Sequence, residues 1–426
     1  MKNKILLAIA DGVGDRPCEV LGWQTPLEAA HTPHLDLLAK NGSSGIMDLH
    51  QLGTPVGTDL GHMILFGYSL EDYPGRGPIE AFGEGLELQE GDIAFRANFA
   101  TVDEAGLVVD RRAGRIREGA KELAQALNGM KLGDVEVLFK EATEHRAVLV
   151  LRGANLSAAV VDTDPKVEGK PPKAGSVKEK AIIALPVAEQ EAEKVKAVRT
   201  AELLQAFLDR AHEVLEEHPI NKARVEKGLL SANYILTRGA GIMPHLEKTA
   251  ERLGFKAACI AAESTVLGVA SMAGYTPITN PKMTGNLDTD IACKAATALE
   301  ALRDNDLVVL HMKAPDLMGH DNHPLGKKEA VLRFDEMVGL VLAGLETATD
   351  ANVIVALAAD HSTPCERREH SGDPVPVVIS GKNIRKDSVT TYNEMAAAEG
   401  GLGHIKGADF SRYLLDYLEV TEKRGN

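Results

Sequence analysis

The chain has 426 residues, 44% of them hydrophobic and 26% charged, ordinary for a soluble globular protein but too long for one ordinary core, so two domains, or one with an insertion, are expected. Lys plus Arg number 47 against 62 Asp plus Glu, a formal charge of −15, which argues against nonspecific nucleic-acid binding or docking on an anionic membrane. The four cysteines (Cys18, Cys259, Cys293, Cys365) are far apart with no CxxC pair, and no apolar run could span a membrane, so reduced thiols in a cytoplasmic protein are expected.

In chain order, "KILLAIADG" reads as a buried strand that ends at Asp11 and Gly12. "TPLEAAHTPHLDLLAKNG" follows as one amphipathic helical stretch closed by Gly42. "TPVGTDLGHMILFGY" places Thr58 after a glycine and before an apolar helical run. The middle of the chain, residues 71–230, is different. "AFRANFATVD", "HRAVLVLRG" and "LSAAVVDTDP" read as shorter strands, and a Lys-, Pro- and Gly-rich loop follows them. Next comes a long helix whose Val195, Val198, Leu203, Phe207, Val214 and Leu215 recur at helical spacing. "NDLVVLHMKAPD" is again a buried strand, "GKKEAVLRFDEMVGLVLAGLET" a long helix and "NVIVALAADH" the next strand. Continuous apolar strands alternating with helices predict an α/β core, a mostly parallel sheet with helices on both faces. That core comprises residues 1–70 and 231–426, and residues 71–230 form a smaller inserted α/β domain.

Open parallel sheets bind ligands beyond the carboxyl ends of their strands. Three apolar runs end there in acids: Asp11, Asp316 and Asp360. A single such acid is ordinarily a turn or cap residue. Here histidines accompany them. His320 follows Asp316 by four residues, which on a helix puts both on one face, His361 adjoins Asp360, and His370 lies across a short polar loop. Carboxylates mixed with imidazoles suit Mn²⁺, Zn²⁺ or Fe better than Ca²⁺. Thr58 could serve either as a helix N-cap or as a nucleophile activated by a metal. Between Lys40 and Lys121 there is no lysine, yet Arg76, Arg96, Arg111, Arg112, Arg115 and Arg117 fall there. Guanidinium forks match carboxylate and phosphate. Arg224 and Arg238 are further candidates near the return to the core.

The segments "ADG", "TPHLDLLAKNG", "GTDLGH", "DLMGHDN" and "DHSTPCERREHSGDPVPVVI" resemble the archaeal type of cofactor-independent phosphoglycerate mutase, a branch of the alkaline phosphatase superfamily. "GRGPIEAFGEG", "AFRANFATVD", "DRRAGRI" and "ILTRGAG" extend the likeness over nearly the whole chain. The resemblance implies an alkaline-phosphatase-like core and two divalent ions, usually Mn²⁺, with Mg²⁺, Co²⁺ or Zn²⁺ as alternatives. One ion would sit on Asp316, His320 and His370, the other on Asp11, Thr58, Asp360 and His361. It further implies that 3-phosphoglycerate passes its phosphoryl group to the Thr58 hydroxyl and takes it back on the 2-hydroxyl, as a step of glycolysis and gluconeogenesis. No 2,3-bisphosphoglycerate is required. Arginines of the insertion, drawn from Arg76, Arg96, Arg111, Arg112, Arg115, Arg224 and Arg238, would hold the small phosphorylated acid. Neither a nucleic acid nor a membrane is expected as partner, and the sequence sets no oligomeric state. Two departures stand out: Thr58 replaces the usual serine, and the segment around 264–268 has no lysine where relatives often carry one. The competing reading is a metal-dependent phosphatase or a homoserine-kinase-like phosphotransferase of the same superfamily.

Overall fold

The computed structural model describes residues 3–173 and 175–425. The chain divides into two compact units, Met1–Tyr73 with Glu247–Asn426, and Pro74–Leu246. No helix among the described residues is long and apolar enough to cross a membrane.

The first unit is built on an eight-stranded sheet. Its order is Thr276–Ile278, Ala257–Ile260, Leu307–Met312, Asn3–Ala10, Asn352–Ala358, Val375–Ser380, Gly42–Asp48, Gly403–Lys406. All neighbours pair in parallel except Val375–Ser380, which runs antiparallel to both of its partners. Leu307–Met312 and Val375–Ser380 are buried at every position, as strands covered on both faces must be. Helices Pro33–Lys40, Ile291–Asp304 and Pro324–Ala348 form one packed group, and Thr58–Leu65, Ser264–Met272 and Gly407–Tyr417 another.

Two details of this unit depart from the sequence reading. The stretch 25–42 holds two helices, Pro26–Ala29 and Pro33–Lys40, because Pro33 restarts the helix after an extended Ala30. Gly42 then opens the strand Gly42–Asp48, which its Gly-Ser-Ser-Gly composition disguises as a turn.

Three central strands place the candidate ligands. Leu307–Met312, Asn3–Ala10 and Asn352–Ala358 are adjacent and parallel, with Ala10 opposite Met312 and Ile9 opposite Ala358. Their carboxyl ends therefore stop at one level, and Asp11, Lys313 and Asp360 leave the sheet side by side. Gly12 follows with φ +61, and a Cβ there would lie 2.6 Å from Thr363 Oγ1 and 2.8 Å from Asp316. Only glycine tolerates both the backbone and the crowding.

The loops beyond the strands are tied from beneath. Lys327, fully buried, donates to Asp15 Oδ2 (2.9 Å), Gly14 O (3.1 Å) and Thr363 O (2.8 Å). Glu394 closes the same region, accepting from Asp15 N (3.3 Å) and Thr25 Oγ1 (2.8 Å). Burial pushes its carboxyl up to about 7, further than those hydrogen bonds pull it down. An acid whose folded pKa lies above its unfolded value binds more protons when folded, so stability falls as pH rises through that interval. Wild-type protein should therefore lose up to ~2 kcal/mol between pH 5 and pH 8 through this partly exposed group. Glu394→Gln should flatten that part of the profile, raising the melting temperature at pH 8 and not at pH 5. Parallel pH–melting curves for the two proteins would refute this assignment.

The second unit is antiparallel throughout, in the order Val108–Asp110, Ile93–Val102, Arg146–Arg152, Val135–Glu141, Lys131–Leu132. Tyr234–Ile242 also pairs with Ile93–Val102. That pairing keeps 234–242 in the insertion, so the return to the first unit falls at Glu247 and not near 231. "LSAAVVDTDP" is a loop with only an isolated bridge from Val160 to Val177. The long helix is Val187–Glu216, and it buries Ala197, Thr200, Ala201, Leu204, Phe207, Leu208, Ala211 and Leu215. Val195 and Val198 are exposed. The buried stripe is rich in alanine, which lets the helix approach its neighbours closely, and a count of large residues alone overlooks it.

Candidate active site

All seven candidate ligands of the first unit converge. Asp11, Asp316, Asp360 and His361 are buried, while His320 and His370 are partly exposed. His320 Nε2 lies 3.2 Å from His370 Nε2, and Asp316 Oδ1 lies 3.4 Å and 3.5 Å from the two nitrogens. His361 Nε2 lies 3.5 Å from Asp11 Oδ1, 3.2 Å from Asp360 Oδ2 and 3.1 Å from Thr58 Oγ1. The pattern Asp316, His320 on one face follows from the helix Ala314–His320.

Hydrogen bonds fix the imidazole tautomers. His320 Nδ1 faces Arg368 O at 3.0 Å and His370 Nδ1 faces Val56 O at 2.8 Å. A carbonyl can only accept, so both Nδ1 atoms carry the proton and each Nε2 keeps its lone pair. His361 is set similarly. Thr363 Oγ1 donates to Asp316 Oδ1 (2.7 Å) and so accepts from His361 Nδ1 (3.0 Å). Three Nε2 lone pairs thus point into a basin of buried carboxylates.

This arrangement fits divalent ions. Two Nε2 lone pairs and a carboxylate oxygen 3.2–3.5 Å apart repel one another unless a cation lies between them. Ligands about 2.1 Å from one ion have edges of about that length. Asp316, His320 and His370 form one such cluster, and Asp11, Asp316 and His361 form a second that shares Asp316. Asp360 Oδ1 accepts from Gly12 N (3.1 Å), whereas its buried Oδ2 has no hydrogen-bond donor. His62 Nδ1 comes within 3.3 Å of that oxygen, but its proton is committed to Thr58 O at 2.8 Å. A buried anionic oxygen without a donor is costly in a protein interior and natural in a metal ligand. The basin draws positive charge: burial works against a protonated His370, yet Asp316 outweighs it and pushes the imidazole up, and a metal ion would take the place of that second proton on Nε2.

Thr58 is the first residue of the helix Thr58–Leu65, with Gly57 at the N-cap. Its hydroxyl caps nothing: its partners are His361 Nε2 and, at 3.2 Å, Lys313 Nζ. The helix comes this close because a Cβ at Gly61 would lie 2.4 Å from Asp360 O. Behind the ligands, His311 Nε2 donates to Asp11 Oδ2 at 2.8 Å. Sequence reasoning passed over Lys313, His62, His311 and Thr363, although Lys313 stands three residues before Asp316 and His62 closes "GTDLGH".

In the second unit, a cavity of about 410 Å³ is lined by Arg96, Asn98, Arg111, Arg112, Arg115, Glu144, His145, Arg146 and Arg238. The sheet explains the grouping. Arg96 and Asn98 share one face of Ile93–Val102, with Arg238 opposite Arg96 and Arg146 opposite Asn98. Asp164 fixes Arg111 side-on through Nε and Nη2, both at 2.8 Å, and lies 3.3 Å from Arg238 Nε. Burial, with Arg146 and Arg112, pushes His145 down to about 4. Such a cavity suits a small polyanion. Arg76 and Arg224 are not among its lining. Arg76 pairs with Glu80, and Arg224 donates to Leu230 O and Ala113 O, tying a turn.

Residues 39–221 match the sequence model of a family described as 2,3-bisphosphoglycerate-independent phosphoglycerate mutase. Proteins of that name from Methanothermobacter thermautotrophicus and Pyrococcus abyssi are 43% and 44% identical, covering 99% and 100% of this chain and 100% of their own lengths. Among solved structures, a Pyrococcus horikoshii protein superposes with a TM-score of 0.80 at 36% identity over 100% of both chains. A cofactor-independent phosphoglycerate mutase from Thermoplasma acidophilum gives 0.72 at 32% identity over 98% of this chain and 100% of its own.

Proposed function

The chain belongs to the 2,3-bisphosphoglycerate-independent phosphoglycerate mutases, and from that premise we propose that it interconverts 3- and 2-phosphoglycerate through a phosphothreonine at Thr58 beside two divalent ions. The observation that carries this reading is the Thr58 hydroxyl, bound to His361 and unused as a helix cap. Asp316, His320 and His370 would hold one ion and Asp11, Thr58, Asp360 and His361 the other, with Asp316 within reach of both sets. When bound, the ions would lower the hydroxyl pKa and offset the charge of the phosphoryl group. The mixed imidazole and carboxylate set favours Mn²⁺ or Zn²⁺ over Ca²⁺.

The chemistry balances within one substrate molecule. Thr58 Oγ forms a bond to phosphorus, and the bond from phosphorus to oxygen 3 of glycerate breaks with its electron pair. That oxygen gains one proton as the threonine hydroxyl gives one up. In the second half, oxygen 2 of the same glycerate attacks phosphorus and Thr58 recovers its hydroxyl. Nothing external is consumed. The cavity arginines would hold the carboxylate of glycerate by bidentate forks while the phosphoryl group is on the enzyme.

An enolase-coupled assay with 3-phosphoglycerate tests the proposal. Activity should appear with Mn²⁺ and vanish on chelation, and an inactive Mn²⁺-loaded protein would overturn the reading. The arginine assignment has its own outcome. Arg112→Lys and Arg115→Lys should each raise KM about tenfold or more, because the charge stays while the fork is lost. Arg76→Lys, outside the cavity lining, should stay within about twofold of wild type. Equal KM values across the three variants would remove the cavity from the substrate site.

A further inference from the structure

We propose that Lys313 is a further catalytic residue, whose ammonium binds the phosphoryl group while it is carried on Thr58. The inference rests on the Thr58 reading and adds a cation from the chain itself. Lys313 leaves the end of Leu307–Met312 and stands at the N-cap of the helix Ala314–His320, where its side chain makes no cap. The side chain is only 10% exposed. Its Nζ reaches Asp316 Oδ2 at 2.6 Å, Asp11 Oδ1 at 3.0 Å and Thr58 Oγ1 at 3.2 Å.

An ammonium has three donors, and these three contacts account for all of them. Two go to carboxylates that the ions would also use, and the third goes to the reacting oxygen. A lysine serving only to balance charge has no need of that third contact. Lys327, buried in the helix Pro324–Ala348 beneath these loops, shows the structural alternative: its three bonds go to Asp15 and two backbone carbonyls, none to Thr58. A phosphoryl group bonded to Thr58 Oγ places its oxygens one bond angle from that atom. That is within reach of an ammonium already 3.2 Å from it. Its fixed charge would stabilise the charge that builds on those oxygens in either half of the reaction.

The test compares Lys313→Met and Lys313→Arg with wild type, all loaded with Mn²⁺. Calorimetric titration reads Mn²⁺ binding, and a second titration reads the affinity for inorganic phosphate. Rapid quench with labelled 3-phosphoglycerate reads phosphothreonine. Lys313→Met should keep Mn²⁺ stoichiometry and bind the metal at least as tightly, since a competing cation is gone. Its phosphate affinity should fall about tenfold or more, and phosphothreonine should form roughly 10²–10³-fold more slowly. Lys313→Arg should recover part of both. Unchanged phosphate affinity and phosphorylation in Mn²⁺-loaded Lys313→Met would overturn the proposal. Loss of Mn²⁺ from both variants would also overturn it, making Lys313 a support for the metal loops. If wild type itself forms no phosphothreonine, the Thr58 reading fails, and the phosphate titrations still decide whether Lys313 is an anion site.

Discussion

Thr58→Ala should abolish mutase turnover, by roughly 10⁴-fold or more as expected for the proposed nucleophile, while leaving the fold almost untouched. A helix-capping hydroxyl would be missed by the backbone at a cost of about 1 kcal/mol. Here Gly57 holds the N-cap position, and the Thr58 hydroxyl bonds only to side chains, His361 and Lys313. The contact His62 makes in this turn is to the Thr58 carbonyl, which alanine keeps. Thermal stability should therefore change by less than about 1 kcal/mol. Thr58→Ser retains the hydroxyl and should stay active, with χ1 freer than in the β-branched residue. The measurement is rapid quench with labelled 3-phosphoglycerate followed by peptide mapping, which should find phosphothreonine in "VGTDLGH" of wild type and none in Thr58→Ala. Undiminished turnover in Thr58→Ala would leave the covalent route without its acceptor.

The parallel core was legible because its strands are covered on both faces. Ile5–Ala10 and Leu307–Met312 need no polar alternation, and such runs flanked by helical patterns admit few architectures. The acids at their ends were legible for the same reason, since a charge cannot sit inside those strands. Gly42–Asp48 was not legible. It lies between Val375–Ser380 and Gly403–Lys406, where close approach favours small residues that also spell a turn. Lys313 was in plain sight, but a lysine just past a buried strand reads as a solvated end. Its meaning comes from Asp11 and Thr58, which are 302 and 255 positions away in the chain. Arg146 and His145 were hidden similarly, because only the pairing of Asn98 with Arg146 brings that strand end beside Arg96. Arg76 and Arg224 lie outside the cavity lining, yet Glu80 pairs with Arg76 and with the lining Arg96 alike, so nothing in the sequence separates the two arginines.

The metal basin should come apart in an order set by Asp316. His361 belongs only to the cluster with Asp11, whereas Asp316 belongs to both clusters. Wild type should hold two Mn²⁺ per chain after dialysis, His361→Ala one, and Asp316→Asn fewer than one. His361→Ala should lose activity by about 10³-fold or more, since it would remove the ion proposed to activate Thr58. Its fold should persist, because His361 lies beyond the end of the strand Asn352–Ala358, whose own residues Ile354–Ala358 are buried. Asp316→Asn should be the more damaging change. The buried carboxylate accepts from Thr363 Oγ1, which orients His361, and pairs with Lys313, so its loss disturbs the tautomer of one ligand and strands a cation. Added Mn²⁺ should raise the melting temperature of wild type most, of His361→Ala less, and of Asp316→Asn least, because a ligand stabilises only the state that binds it. Metal analysis and melting curves read this order without any assay of turnover. Two tightly held ions in His361→Ala, or equal metal-induced shifts in all three proteins, would show that the two clusters are not the metal sites.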